Sequence, residues 1–317
     1  MLAPTNSIMT VTLNPAVDKT LEVPGFQVGM HAQARVKALV PSGKGVNVAR
    51  GIVRLGGKAV ACALLGRNEE RMFAQSLSAE GVETRLRIVA GCTRTNTTVL
   101  DPEAHTATHL REPGFKVEAE DIGTLQVALA DWLATRGEAT VVFGGSLPPG
   151  MSPADFAALI AACAKLGARV FVDTSGPALQ AALGTGLVHA LKPNLLELGE
   201  CLHGSVEAKE GPSAARELLD RVGIVLLTLG AEGAFLIGRG AVVGARCRIP
   251  DSDVRNTVGC GDAFLAGWLR GEQLCDDPAE ALRWAVATGA ASARSETTVG
   301  YRLADVEALM PCCELIR

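Results

Sequence analysis

Apolar positions follow two rhythms along this chain. From Glu118 onward, unbroken apolar runs alternate with stretches of helical period. They predict helix 118–135, strand 139–144, helix 153–166, strand 168–173, helix 177–183 and strand 187–191. Helices 195–202 and 212–222 and strand 224–229 continue the series. Runs with no polar face suit strands covered on both sides, so the alternation predicts a doubly wound parallel sheet between helices. Segments 233–237 and 241–249 read as a hairpin, and 262–310 as mostly helical.

The N-terminal part begins the same way, with a strand at Ile8 to Leu13. Apolar residues at 46, 48, 49, 52, 53 and 55 then give a helix that stops at Gly56-Gly57. Ala59 to Leu65 is a strand and Glu69 to Ala79 a helix. The stretch from Thr84 to Arg111 breaks the rhythm: it is rich in Thr and Arg, alternates loosely and lacks a helical face. Antiparallel strands with one wet face account for that pattern. With the half-exposed strand at Gln33 to Leu39, it predicts a small sheet from about 18–40 and 84–112, standing off one domain spanning 1–317.

Composition narrows the function classes. With 48% apolar residues but only 4% aromatic, the core is built from Ala, Val and Leu, as helices on a parallel sheet require. Thirty basic against thirty-four acidic residues give a net charge of −4, which supports neither nucleic acid nor an anionic membrane as partner. The apolar runs are too short to span a bilayer, and residues 1–10 lack the pattern of an export signal. The expected location is cytoplasmic. Nine cysteines without a CxxC pair read as reduced, mostly buried thiols. Trp132, Trp268 and Trp284 read as core, and the His105/His109 pair lacks the neighbours of a metal site.

Ligands of open parallel sheets bind beyond the carboxyl ends of the strands. The loops there are unusual: Asn14 to Asp18, Gly144 to Gly150, Asp173 to Gly176, Lys192 to Asn194 and Thr228 to Gly230. A further segment, Thr257 to Gly267, joins a glycine loop to a helix start. Glycines 259 and 261 let backbone N–H groups converge with the helix dipole, an arrangement that suits a phosphoryl group. Asp262 inside that nest is either a general base or a plain N-cap, and its own surroundings leave both open.

Two signatures give this segment a context. Gly43-Lys44-Gly45-Val46-Asn47-Val48-Ala49 with Gly56 and Gly66, and Thr257 to Asp262, resemble the paired motifs of the PfkB (ribokinase-like) carbohydrate kinases. Thr12 to Asp18, Thr93 to Asn96, Gly145 to Gly150 and Asp173 to Gly176 are similar to one branch of it, whose substrates already carry a phosphate. The resemblance implies a three-layer αβα fold with a mostly parallel sheet and a small discontinuous β-sheet lid. It also implies ATP with Mg2+, a sugar-phosphate substrate and a homodimer formed through the lid.

By matching motifs, the resemblance makes Asp262 the base and Gly259, Cys260 and Gly261 the anion hole. Substrate falls to Asp18, Gly43, Lys44, Asn47, Arg94 and Ser146, with Lys44 and Arg94 on its phosphate. ATP falls to Lys192, Asn194, Thr228, Gly230 and Gly233, with Glu197 reaching magnesium through water. Asn194 and Glu197 equally read as a helix capping box. Gly43-Lys44-Gly45 is no Walker A loop, because Gly45 stands where Ser or Thr would. The implied reaction is ATP-dependent phosphorylation of a primary hydroxyl of a ketohexose monophosphate, fructose 1-phosphate before tagatose 6-phosphate or fructose 6-phosphate. The rival from another class is an inactive sugar-phosphate sensor. Three departures stand out: Asn256 for Asp, Ser42 for Gly, and Cys260 for Ala or Ser. At a helix N-terminus the Cys260 thiol is expected to be acidic and prone to oxidation.

Overall fold

The structure, a computed structural model, describes residues 7–316. The N-terminal stretch expected to lack an export signal lies mostly outside them. In chain order the first strands are β1 Ser7–Thr12, β2 Ala16–Glu22, β3 Arg35–Ser42, β4 Val60–Gly66, β5 Glu83–Val89, β6 Arg94–Asp101 and β7 Thr106–Arg111. Then come β8 Ala139–Gly144, β9 Arg169–Asp173, β10 Val188–Leu191, β11 Val222–Thr228, β12 Ala234–Gly238, β13 Val242–Cys247 and β14 Cys313–Ile316. The helices are α1 Lys44–Arg54, α2 Glu70–Ala79, α3 Ala119–Ala134, α4 Pro153–Lys165 and α5 Gly176–Gly184. They continue with α6 Leu195–Leu202, α7 Gly211–Ala215, α8 Cys260–Leu274, α9 Pro278–Ala293 and α10 Leu303–Leu309.

The large sheet is ordered β14-β13-β12-β11-β10-β9-β8-β1-β4-β5, with every pairing from β11 to β5 parallel. Its central strands are apolar on both faces; β4 and β8 are buried throughout. Leu125 and Leu129 of α3, Ile160 of α4 and Leu198 of α6 pack on one face. Val48 of α1, Phe73 of α2, Leu265 of α8 and Val286 of α9 pack on the other. Each such side chain contributes about 1.5–3 kcal/mol of transfer free energy. Trp132 and Trp268 are core residues as expected, whereas Trp284 is only half-buried. All nine cysteines are free. No helix among the described residues is long and apolar enough to cross a membrane.

A second sheet, ordered β3-β2-β6-β7, is separate from the first. It corrects the expectation for residues 84–112 at its start. β5 is the parallel edge strand of the large sheet, with Val60 opposite Glu83, and only β6 and β7 form the expected antiparallel pair. An edge strand with one wet face alternates just as a half-solvated hairpin strand does, so the pattern cannot separate them. Two smaller differences follow. Helix 212–222 is replaced by the short α7 and a 3-10 turn over Arg216–Asp220, and β14 at the chain end adds an unforeseen strand against β13.

Candidate active site

The unusual loops leave the carboxyl ends of β1, β8, β9, β10 and β11, and from one of them Lys192 reaches the start of α8. Close backbone packing aligns the centre. A Cβ on Gly51 of α1 would lie 2.6 Å from the Ala266 Cβ of α8, so the two helices touch through bare backbone. That contact brings Asn47 onto Asp262: the amide donates to Oδ2 at 2.8 Å. Asp262 is not a cap. Gly259 holds the N-cap position at φ 82°, which favours glycine, and Asp262 lies in the first turn. The Gly261 and Asp262 N–H groups find no acceptor in the described chain and remain free for an anion.

The Asp262 carboxyl is buried, and its pKa is pushed up to about 6. Burial is the main cause and the charge of Asp173 the next; Lys44, Asn47 and Lys192 pull the other way. A carboxylate near neutrality, at an anion nest, is suited to accept a proton from an attacking hydroxyl.

Asp173 is the residue whose role went unassigned in the sequence. It ends β9 at 1% exposure, with Lys44 Nζ 2.7 Å from Oδ1 and Lys192 Nζ 3.3 Å from Oδ2. Burial alone would raise its carboxyl, but Lys192 and Lys44 outweigh that and hold it below the usual range. Lys192 also borders the anion nest, since a Cβ on Gly261 would lie 3.3 Å from its Nζ. Lys44, expected with Arg94 at the substrate's phosphate, belongs to this cluster in the folded chain and lies 3.9 Å from Glu197. Burial would lower its ammonium, but Asp173, Asp262 and Glu197 together hold it above its ordinary value. At the first position of α1, the Lys44 side chain faces these three carboxylates.

On the other side of the cleft stand Asp18 of β2, Arg94 of β6 and Ser146. The Asn96 amide donates to Asp18 at 3.0 Å. Arg94 donates to the Asn14 carbonyl at 2.8 Å and more weakly to those of Pro15 and Glu112 and to Ser146 Oγ. Gly43, at φ 139°, allows the turn into α1, because a Cβ there would lie 2.6 Å from Thr12 Cγ2. Ser42, the departure before it, sends its hydroxyl to Asn47 at 3.5 Å.

The Lys192 and Thr228 loops are joined, with the Thr228 N–H and hydroxyl donating to the Pro193 carbonyl at 3.0 and 3.3 Å. Gly230 and Gly233, both at positive φ, turn the next loop tightly after Thr228. Asn194 and Glu197 form the capping box: Glu197 N–H donates to Asn194 Oδ1, and Asn194 N–H to Glu197 Oε2, each at 2.9 Å. Oε2 is thereby committed, while Oε1 faces Lys44. No group of three or more metal-ligating side chains exists among the described residues. That donor set fits magnesium carried on ATP phosphates with water in its shell and one carboxylate nearby, not an all-protein cage. His109 Nδ1 lies 3.1 Å from Thr98 Oγ1.

Cys260 reverses its expectation. The half-buried thiol lies 3.7 Å from the Asn256 carbonyl, and its pKa is raised. Burial dominates, the Ser292 hydroxyl opposes it, and the Asp262 charge adds to it. The helix dipole is outweighed, so acidity gives no reason for oxidation here.

A buried carboxylate of raised pKa beside unbonded helix-start N–H groups, with two lysines at the carboxyl edge of a parallel sheet, is an arrangement suited to phosphoryl transfer to an alcohol. Known proteins carry the point further. The pfkB family carbohydrate kinase profile matches residues 7–301. The 1-phosphofructokinase of Rhodobacter capsulatus is 38% identical over 88% of this chain and 88% of its own. That of Vibrio cholerae is 31% identical over 96% of this chain and 94% of its own. Phosphofructokinase-2 of Escherichia coli, solved in complex with potassium, superposes at TM-score 0.90 with 26% identity, over 96% of this chain and 98% of its own. The chain belongs to the pfkB family of carbohydrate kinases.

Proposed function

We propose that this kinase transfers the γ-phosphoryl group of ATP to a primary hydroxyl of a ketohexose monophosphate, fructose 1-phosphate before others. The product is then fructose 1,6-bisphosphate. The observation that carries the reading is Asp262, buried and held by Asn47 beside free N–H groups. Asp262 takes the hydroxyl proton as the new O–P bond forms and the bond to ADP breaks. The Gly261 and Asp262 N–H groups and Lys192 stabilise charge on the group in flight. Gly259 and Cys260 shape that nest through their backbone.

Asp18 accepts from sugar hydroxyls and Gly43 admits the ring. Arg94 and Ser146 hold the phosphate already present. Lys44, committed to the carboxylates, serves the transferring group and not the resident phosphate. Lys192, Asn194, Thr228, Gly230 and Gly233 take ATP, and Glu197 meets its magnesium through water. Bound magnesium supplies neutralising charge on the phosphates. An inactive sensor has no use for a base raised to about 6 at an intact nest.

The small sheet is read as the lid and as the contact of a homodimer. Leu39 and Leu110, both half exposed, share one cross-strand row with Lys19 and Thr97. The opposite face carries Asp18, Asn96 and Arg111. An outer face that exposes two leucines and an inner one that carries polar side chains suit a lid that pairs with its copy while covering substrate. Light scattering on Leu39→Glu tests the pairing: a mass unchanged from wild type would sink it. A cytoplasmic location agrees with ATP as donor and free thiols.

A coupled ADP-release assay tests the reaction, over fructose 1-phosphate, fructose 6-phosphate, tagatose 6-phosphate, fructose and ribose. The expected order places fructose 1-phosphate first. Turnover confined to unphosphorylated sugars would overturn the substrate reading.

A further inference from the structure

Four chain crossings link the lid to the body, and three of them meet at one buried residue, Asn14. Asn14 sits at 4% exposure where the chain leaves β1 for β2. Its Nδ2 donates to the Pro113 carbonyl at 3.0 Å, on the segment returning from β7. The same nitrogen lies 3.3 Å from the Leu147 carbonyl and 3.4 Å from Ser146 Oγ, in the loop after β8. Its backbone carbonyl accepts from Arg94, at the entry to β6. With carbonyl acceptors around Nδ2, the orientation of the amide is fixed by chemistry.

The other half of that amide makes no bond. Asn14 Oδ1 is buried without a hydrogen-bond partner and pressed against Gly114, where an added Cβ would lie 2.3 Å away. Leaving a buried carbonyl oxygen unpaired costs free energy, so stability alone does not account for an Asn at this place. The Ser146 hydroxyl suggests what does. Asn14 Nδ2 and Arg94 Nη2 both aim at its oxygen, each at 3.4 Å. A hydroxyl has two acceptor lone pairs and one proton. With both lone pairs faced by N–H donors, the proton must point elsewhere, and Ser146 is exposed.

We propose that Asn14 is a positioning residue for the phosphate the substrate already carries: its amide turns the Ser146 hydroxyl outward as a donor beside Arg94. It does so from the point where lid and body join, so the donor pair is set by the same residue that links three crossings. The proposal rests on the reading of a phosphorylated substrate, and deepens it by naming what arranges the recognition. No step of the chemistry passes through Asn14. Its effect therefore belongs in sugar-phosphate affinity and nowhere else.

The test is a kinetic cycle on Asn14→Ala, Arg94→Ala and the double variant, with Ser146→Ala as a second arm. Asn14→Ala should raise KM for fructose 1-phosphate about tenfold while kcat and KM for ATP stay within about twofold. In the Arg94→Ala or Ser146→Ala background the same change should add less than about twofold, since the group it orients, or its partner, is gone. A general loosening of the hinge would instead lower kcat, shift both KM values and add fully to either variant; that pattern overturns the proposal. If Asn14→Ala does not fold, Asn14→Ser takes its place in the cycle with the same two outcomes. Wild-type enzyme active on fructose 1-phosphate with a silent Asn14→Ala defeats this inference alone. Wild-type enzyme inactive on every phosphorylated sugar defeats the substrate reading, and this inference with it.

Discussion

The floor of the site and its lid side hold charge in opposite ways. On the floor Asp173, Lys192 and Asp262 are 1%, 5% and 6% exposed and bonded to charged or amide partners. On the lid side Asp18 and Arg94 are only partly buried, and Arg94 donates mainly to neutral carbonyls. Charges in a dry, fixed frame act strongly and need no reorganisation during reaction. Charges held by neutral partners keep their capacity for a ligand. On the proposed function, such a floor suits one reaction, whereas the lid side can select among substrates by small changes.

Removing the base should break that comparison most severely. Asp262→Asn keeps the shape and the Asn47 neighbour but cannot accept a proton, and should lower kcat by about 10²–10⁴ with KM values little changed. With Asp262 as the proposed base the carboxylate form is the active one, so the rate should rise with pH through about 6 and then level off. The stability sign runs against activity. The folded pKa is raised above that of an unfolded aspartate, so the folded state binds the proton more tightly. Asp262 then costs nothing below the unfolded value and becomes destabilising as pH rises to about 6. Asp262→Asn should thus gain ~1–3 kcal/mol over wild type at pH 8 and almost nothing at pH 4. Denaturant titrations at both pH values check this. An equal effect at the two would show that Asp262 is not strained by its charge.

Asp173→Asn comes next and acts with the opposite sign on stability. It leaves two lysine ammonium groups without their buried counter-charge, a loss of roughly 3–5 kcal/mol when one partner of such a set is removed. Its second effect falls on Asp262. With one like charge gone, and Lys44 and Lys192 freed, the base should become more acidic, shifting the acid limb of the rate to lower pH. The lid-side variant Arg94→Ala should do neither; its effect belongs in KM. If Arg94→Ala destabilised the protein as much as Asp173→Asn, the contrast between the two regions would be false.

What the sequence made legible follows the range of the interactions. The strand-helix alternation, the nest and Asp262 are local features, readable in windows of a dozen residues. The pairings that define the floor are not local: Lys44 meets Asp173 129 residues away, and Asn47 meets Asp262 at a separation of 215. Type and spacing placed Lys44 near a phosphate, but only the fold sets three carboxylates around it. β5 reads in the sequence as a strand of the small sheet because burial on one face looks alike at the edge of either sheet. Asn14 lies within the Thr12 to Asp18 motif, but its meaning lies in Pro113, on a later crossing, and in Ser146 and Leu147, in the loop after β8.

Cys260 gives the smallest effect and the finest test of how dry the floor is. Position alone, at a helix N-terminus, argues for an acidic thiol; burial and the Asp262 charge argue against it, and they prevail. Its contribution to the nest is its backbone, so Cys260→Ala should leave kcat within about twofold. Iodoacetamide at pH 7.5 should label the exposed Cys92 and Cys312 well before Cys260, followed by peptide mass spectrometry. Cys260 labelling first would mean that water and dipole, not burial, govern this end of α8. The raised Asp262 value would then lose its main cause, since the two groups lie two residues apart in the same first turn.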